Sequence, residues 1–339
     1  MATLKAGLIG LGMMGRHHAR ILANLDGVEL TGVVDPEGDR HQAARGVDLF
    51  EDIEQLIERG LDYCVVAVPT ASHEEAALRL ARAGVPTLIE KPLAHNFEAA
   101  ERIAAEFELR GVPGAVGHVE RYNAALQQAR RRIASDELGE IYQVSTRRQG
   151  PFPGRIADVG VTKDLATHDI DITSWVTQRE YLSVSAQMVN KSGRPHEDLI
   201  AVVGQLESNA VSSHLVNWLS PFKERSIVIT GEKGALVADT LTSDLTFYSN
   251  GSVVTTWDEV SRFRGVSEGD VTRFAFSKPE PLKVEHENFR NYVRGMPADI
   301  VNFRQGARTM MIAEACIEAA TSRRVVDTPL PDTKSGPIR

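Results

Sequence analysis

Short apolar runs and helix-spaced segments alternate over the first third of the chain. The runs are Leu4–Ile9, Val28–Val34, Val47–Phe50, Tyr63–Val68, Thr87–Ile89 and Gly114–Val116. Between them, Arg16–Leu25, Ile53–Glu58, His73–Arg82 and Phe97–Leu109 carry the spacing of amphipathic helices. Unbroken apolar runs separated by helical patterns mark a parallel sheet buried on both faces. The alternation therefore predicts a doubly wound α/β domain over residues 1–120.

Past residue 120 the pattern changes. Ala124–Ile133 predicts a helix that leads through Gly139 into a strand, Ile141–Ser145. Val184–Val189, Leu199–Leu206, Val211–Trp218, Ser226–Thr230 and Leu236–Ala238 then predict a largely antiparallel sheet. Ser249-Asn250-Gly251, between Leu245–Tyr248 and Val253–Trp257, has the composition of a hairpin turn. Helical patterns at Glu285–Arg294 and Phe303–Ala320 close the chain, and Asp327–Arg339 reads as an extended tail. Residues 121–339 are thus expected to form a second, C-terminal α/β domain. Its sheet has little helix to cover it, so one face needs a partner and an oligomer is expected.

Composition narrows the class without changing this picture. The 339 residues are 42% hydrophobic and 25% charged, as in a soluble globular protein of two ordinary domains. The net charge of −8 disfavours a nucleic-acid surface. No run of about 18 apolar residues occurs, so no membrane-spanning helix is expected. The N-terminal apolar stretch is short and glycine-broken, a strand and turn rather than a secretion signal. The two cysteines, Cys64 and Cys316, read as reduced core thiols of a cytoplasmic protein.

The first candidate chemistry follows the first run: Gly10-Leu11-Gly12-Met13-Met14-Gly15 is a G-x-G-x-x-G opening a helix. Gly10 permits the tight turn, Gly12 admits a pyrophosphate to the backbone, and Gly15 lets helix and strand pack closely. The free N–H groups of that helix end favour the phosphates. Asp35 ends the second run, where a carboxylate accepts ribose hydroxyls and repels a 2′-phosphate. NAD is the expected cofactor and NADP is disfavoured, with Arg40 the one cation that argues for it. His17 and His18 point about 100° apart on a helix and cannot chelate one ion together.

Val68-Pro69-Thr70-Ala71-Ser72-His73 and Ile89-Glu90-Lys91-Pro92 leave the fourth and fifth runs at the edge where open α/β sheets bind ligands. Lys91 there is either a surface lysine or an electrostatic partner for a developing alkoxide, and a cis Lys91–Pro92 bond would direct it. Further on, Arg147, Arg148 and Arg155 flank a glycine- and proline-rich segment, either a solvated loop or a phosphate-binding one. Asp164, His168 and Asp171 stand at i, i+4 and i+7, on one face of a helix with Asp169 roughly opposite. A histidine one turn from a carboxylate can serve as a general base. The alternatives are a polar, solvent-facing helix or a metal site; no third His or Cys ligand lies nearby, and no metal is expected.

Taken together, these motifs resemble the Gfo/Idh/MocA family of sugar and inositol oxidoreductases over essentially the whole chain. The resemblance rests on Gly10–Gly15, Pro69-Thr70 with His73, Glu90-Lys91-Pro92, and Asp164 with His168 in D-x-x-x-H. It implies an N-terminal Rossmann domain holding NAD and a C-terminal α/β domain whose open sheet mediates oligomers, here a homodimer or homotetramer. It also implies catalytic roles for Lys91 and His168, with Asp164 binding a substrate hydroxyl or assisting His168. Met13 and Met14 would line the cofactor turn, and Pro69, Thr70, His73 and Glu90 would lie near the nicotinamide and its ribose. Gly117–Asn123, which holds Arg121, and Gly150–Pro153, Asp158–Val161 and Asn217–Pro221 are similar to the UDP-N-acetylglucosamine 3-dehydrogenase branch. The family usually carries Gly-Gly-Gly before its catalytic aspartate, whereas only Gly160 stands in that stretch here.

The expected activity is NAD-dependent oxidation of a secondary alcohol on a sugar ring, at C3 of a UDP-N-acetylhexosamine. Arg121, Arg147, Arg148, Arg155, Asp164 and His168 are the candidate substrate contacts. A dehydrogenase of inositol or free sugars is the near alternative. A non-catalytic NAD-sensing regulator is the distant one.

Overall fold

A computed structural model describes residues 2–44, 46–154, 159–251 and 269–330. They fall into two compact units, Met1–Tyr122 with Pro279–Glu314, and Asn123–Lys278 with Ala315–Arg339.

The first unit is built on a six-stranded parallel sheet. Its strands are β1 (Leu4–Ile9), β2 (Val28–Val34), β3 (Asp48–Phe50), β4 (Tyr63–Val66), β5 (Thr87–Glu90) and β6 (Gly114–Gly117), in the order β3-β2-β1-β4-β5-β6. Adjacent apolar residues point to opposite faces, and both faces are buried. Ile9, Val66 and Ile89 join one core with helices α2 (Ile53–Ile57), α3 (His73–Arg82) and α4 (Phe97–Arg110). Leu8, Val65 and Leu88 join the other with α1 (Gly15–Leu22).

That second layer corrects the expected domain boundary. Residues 279–314 were expected within a C-terminal domain, but they return to the first unit. The physical reason is the uneven distribution of helices, because α2, α3 and α4 all pack on one face and α1 on the other. A further helix, α7 (Pro281–Val293 in chain order), joins α1 there, with the Phe289 ring edge-on to Tyr63 at 5.5 Å. On the other face Phe303 stacks edge-on against Phe107 at 4.8 Å and fills the space that a side chain at Gly114 would need.

Among the described residues of the second unit, a nine-stranded sheet contains β7 (Ile141–Pro151), β8 (Tyr181–Val189), β9 (Leu199–Leu206), β10 (Val211–Asn217), β11 (Leu219–Gly231), β12 (Gly234–Asp239), β13 (Asp244–Ser249), β14 (Val271–Arg273) and β15 (Val326–Asp327). The order is β14-β13-β12-β11-β7-β10-β9-β8-β15, and among these strands only β7 and β10 pair in parallel. Helices α5 (Ala124–Ala134) and α6 (Thr167–Thr177) belong to this unit, as does the end of α8 (Phe303–Ser322). Asn123 caps α5, accepting the Ala125 N–H at 3.0 Å. The second strand expected of the Ser249–Gly251 hairpin, Val253–Trp257, lies outside the described residues, as does most of the tail expected at Asp327–Arg339.

β7 runs six residues beyond the expected end at Ser145, so Arg147–Pro151 is strand and not loop. Pairing with β10 on one side and β11 on the other satisfies its backbone through Gln149.

Candidate active site

In the first unit, the turn after β1 follows the geometry that a dinucleotide requires. Gly10 has φ +93°, and a Cβ there would lie 2.6 Å from the Ala67 carbonyl oxygen. A Cβ on Gly15 would fall 2.0 Å from the Gly10 carbonyl oxygen, whereas one on Gly12 would meet nothing within 4 Å. The first two glycine requirements are steric, while the third leaves open backbone. No side chain caps α1, so its N-terminal donors have room for a phosphate. Met13 is exposed and Met14 half-buried beside them. Asp35 holds the turn from below, its carboxylate accepting the Leu11 N–H at 2.8 Å and the Glu37 N–H at 2.9 Å. An anchored carboxylate with spare lone pairs suits a ribose diol. Arg40 pairs with Glu37 at 3.0 Å. The residues present therefore fit NAD.

The loops after β4 and β5 are joined by one side chain. His73 approaches the Pro92 carbonyl at 2.9 Å with Nδ1 and the Val68 carbonyl at 3.0 Å with Nε2. Burial keeps its pKa below the ordinary histidine value despite the two carbonyls, so the ring carries one proton and donates to one of them at a time. Pro69 and Thr70 lie on the first loop; Glu90 ends β5, and half-buried Lys91 opens the second loop, where the Lys91–Pro92 bond is cis. Glu90 is buried, and its Oε1 receives His18 Nε2 at 2.8 Å. Burial alone would raise its pKa. The His18 hydrogen bond and charge, with the charge and N–H of Lys91, outweigh burial and hold the carboxyl below the usual range. Arg121 is buried in the short turn Val119–Tyr122.

In the second unit, Asp164 and His168 are buried, as are Asp169 and Asp171, which excludes the solvent-facing helix. The helical spacing is also not regular. Thr162–Ala166 is a π-helical turn, and the Thr167 N–H reaches back to the Thr162 carbonyl, so Asp164 sits in the wide turn and His168 in the first turn of α6. Such turns recur at functional sites. Glu197 secures its start, with Oε1 accepting the Thr162 N–H at 3.0 Å and its carbonyl accepting the Val161 N–H at 3.1 Å. The negative charge suits a helix N-terminus. A Cβ on Gly160 would lie 2.1 Å from that carboxylate, which explains the glycine that remains in this stretch. Sequence spacing could not reveal Glu197, which is 35 residues from its partner.

The three arginines go to three different places. Strand alternation sends Arg148 to the helix-covered face, where its Nε lies 3.1 Å from Oδ1 of Asp169. Arg147 is exposed on the outer face, in register with Leu215 of β10. Arg155 lies outside the described residues. Elsewhere in this unit, Arg194 stacks 3.9 Å above the Phe152 ring and 4.8 Å from Trp218, and Phe152 and Trp218 meet edge-on at 5.3 Å. Asn217 donates to Gln149 Oε1 at 3.1 Å. The Gly150–Pro153 and Asn217–Pro221 segments are thus neighbours.

Comparison with known proteins adds the following. A family profile described as "Oxidoreductase family, NAD-binding Rossmann fold" matches residues 4–118, and one described as "GFO/IDH/MocA C-terminal domain" matches residues 126–237. Inositol 2-dehydrogenase 2 of Saccharopolyspora erythraea is 32% identical over 205 residues, 58% of this chain and 60% of that protein. UDP-N-acetylglucosamine 3-dehydrogenase of Acidithiobacillus ferrooxidans is 31% identical over 190 residues, 55% of this chain and 58% of that protein. The matched stretch therefore spans less than two thirds of the length of these relatives. A solved structure of the Acidithiobacillus enzyme superposes with a TM-score of 0.84 at 24% identity, covering 95% of this chain and 99% of that one, a likeness of fold. Among the described residues, no helix is long and apolar enough to cross a membrane.

Proposed function

Because the chain belongs to the Gfo/Idh/MocA oxidoreductase family, with an NAD-binding Rossmann domain, we propose that it is an NAD-dependent dehydrogenase of a ring secondary alcohol on a sugar or polyol. The observation that carries this reading is the burial of Asp164 and His168 on a π-turned helix, in a chain that also presents Lys91 at the ligand-binding edge of its sheet. Bound there, the nicotinamide would supply the acceptor for the hydride of the carbinol carbon. His168 removes the hydroxyl proton, and Asp164 assists it or binds a neighbouring hydroxyl. Lys91 steadies the oxygen as negative charge develops. Gly10, Gly12, Gly15 and Asp35 hold the cofactor, with Met13 and Met14 beside the turn.

For the substrate, the finer proposal is C3 of a UDP-N-acetylhexosamine, supported by the adjacency of the Phe152 and Trp218 segments. One observation favours free cyclitols instead. Arg148 is engaged by Asp169 and Arg147 is on the opposite face of the sheet, which removes two of the cations expected for a diphosphate. The decisive experiment is NADH formation across UDP-N-acetylglucosamine, free sugars and inositols. Turnover confined to UDP-sugars supports the first reading and turnover confined to inositols the second. NAD binding without any turnover would overturn both in favour of a sensor.

The same reading includes self-association of a cytoplasmic protein. Across four strands of the outer sheet face run Arg147, Leu215, Ala201 and Gln187 in one row and Ser145, Ser213, Val203 and Ser185 in the next. Val203 is 52% exposed. A second copy would cover this mixed apolar face, and light scattering with a Val203→Glu variant tests it.

A further inference from the structure

A polar chain runs through the core of the first unit and ends at the backbone of Lys91. His286 on α7 meets His18 on α1, Nε2 to Nδ1, at 2.8 Å, with ring centroids 5.0 Å apart. His18 meets Glu90 with its other nitrogen, Nε2 to Oε1, at 2.8 Å. The second oxygen of Glu90 accepts the N–H of Lys91 at 3.0 Å. Both histidines are completely buried. Next to His286 on α7, Glu285 is 1% exposed, and neither of its carboxyl oxygens has a hydrogen-bond partner among the described residues.

Such a group of side chains is costly in a core that apolar residues would fill without penalty. The hydrogen between His18 and Glu90 can nonetheless be assigned. An ionised carboxylate only accepts, so His18 Nε2 carries the hydrogen shared with Glu90. Burial, with the Glu90 charge added, pushes the Glu285 carboxyl well up. Burial, with the His18 charge added, pushes His286 well down. Glu90 thus faces His18 from α1, Lys91 from its own loop, and the field of Glu285 from α7. It also acts on His73 at the start of α3. With one oxygen on His18 and the other on the Lys91 amide, the carboxylate cannot turn without breaking both bonds.

We propose that His18 and His286 are positioning residues for Lys91, fixing through Glu90 the backbone from which its side chain starts. The proposal rests on the reading of Lys91 as a group that acts on substrate. Neither histidine touches the reacting atoms.

The test uses the full chain with His18→Leu, His18→Gln, His286→Leu and Lys91→Met. The first readout needs no turnover: carboxyl NMR of the cofactor-free protein follows the titration of Glu90. It should lie below the usual glutamate value in the parent and rise in His18→Leu, where burial loses its largest counterweight. The second is NADH formation with UDP-N-acetylglucosamine and with myo-inositol. His18→Leu should lower kcat about 10- to 100-fold while KM and the NAD dissociation constant stay within about threefold. His18→Gln, which keeps an N–H donor, should recover most of the loss. If His18→Leu does not fold, His286→Leu carries both readouts with smaller shifts. Unmoved Glu90 titration, or unchanged kcat beside an inactive Lys91→Met, overturns the positioning role and leaves the reading of Lys91 standing. Full activity in Lys91→Met overturns that reading, and the proposal with it.

Discussion

The Arg148 guanidinium and the Asp169 carboxylate form an ion pair at 3.1 Å, each side chain only 4% exposed. It ties β7 to the helix that carries His168. Removing one partner leaves a buried charge without its counterpart, so Asp169→Ala should cost about 3–5 kcal/mol. The double replacement Arg148→Met with Asp169→Leu should recover most of that. Urea unfolding of the four proteins checks the cycle, and a single mutant as stable as the parent refutes it.

The glycines of the first turn should separate by what they do. Gly15→Ala drives a methyl group into the Gly10 carbonyl and should destabilise the fold by about 1–3 kcal/mol. Gly12→Val meets no protein atom within 4 Å at Cβ, so the melting temperature should hold. Its side chain would instead occupy the open backbone, and NAD affinity should fall about tenfold or more. Calorimetric melting and NAD titration, run on both variants, distinguish these outcomes.

The first unit was legible because its strands are buried on both faces and therefore read as unbroken apolar runs. The expected span of β1 was Leu4–Ile9 and the observed one is the same; β5 gained only Glu90. The return of residues 279–314 was not legible. The pattern predicted a helix over Glu285–Arg294, which holds Phe289, and nothing local says that its partner is Tyr63. At the candidate site, residue types were visible and their surroundings were not. The π-helical turn at Thr162–Ala166 alters the spacing on which the Asp164, His168 and Asp171 face was drawn. Arg147 and Arg148 looked alike in a proline-rich loop, but pairing with β10 and β11 made the segment a strand and sent them to opposite faces. His18 was expected only to diverge from His17; its bond to Glu90 links residues 72 apart.

Glu197 and Gly160 should behave as one unit. Gly160→Ala places its methyl group on the carboxylate and should cost about 1–3 kcal/mol. Glu197→Ala removes that clash together with a bond to the Thr162 N–H, and alone should cost about 1 kcal/mol. The two should couple by about 0.5–3 kcal/mol, with the double variant more stable than the sum of the singles. Additivity within error would mean that the carboxylate does not occupy this position.

His214 should make the second unit sensitive to acid. Thr146 and Tyr181 bond its two ring nitrogens at 2.8 and 2.7 Å, and burial pulls its pKa from 6.5 down to about 3. The unfolded chain therefore takes up a proton below about pH 6.5 that the folded chain refuses until about pH 3. This contribution to stability is present above the unfolded pKa and shrinks as pH falls through that window, by about 1.4 kcal/mol per pH unit. His73 and His286, also lowered by burial, act in the same direction. Glu285, raised by burial, acts in the opposite one, since its neutral form favours the fold below its raised pKa. The quantity to measure is therefore the difference in unfolding free energy between the parent and His214→Gln, which share those other groups. Between about pH 7 and pH 4 that difference should shift in the variant's favour as acid is added. Parallel stability curves for the two proteins would show that His214 is not buried in its neutral form.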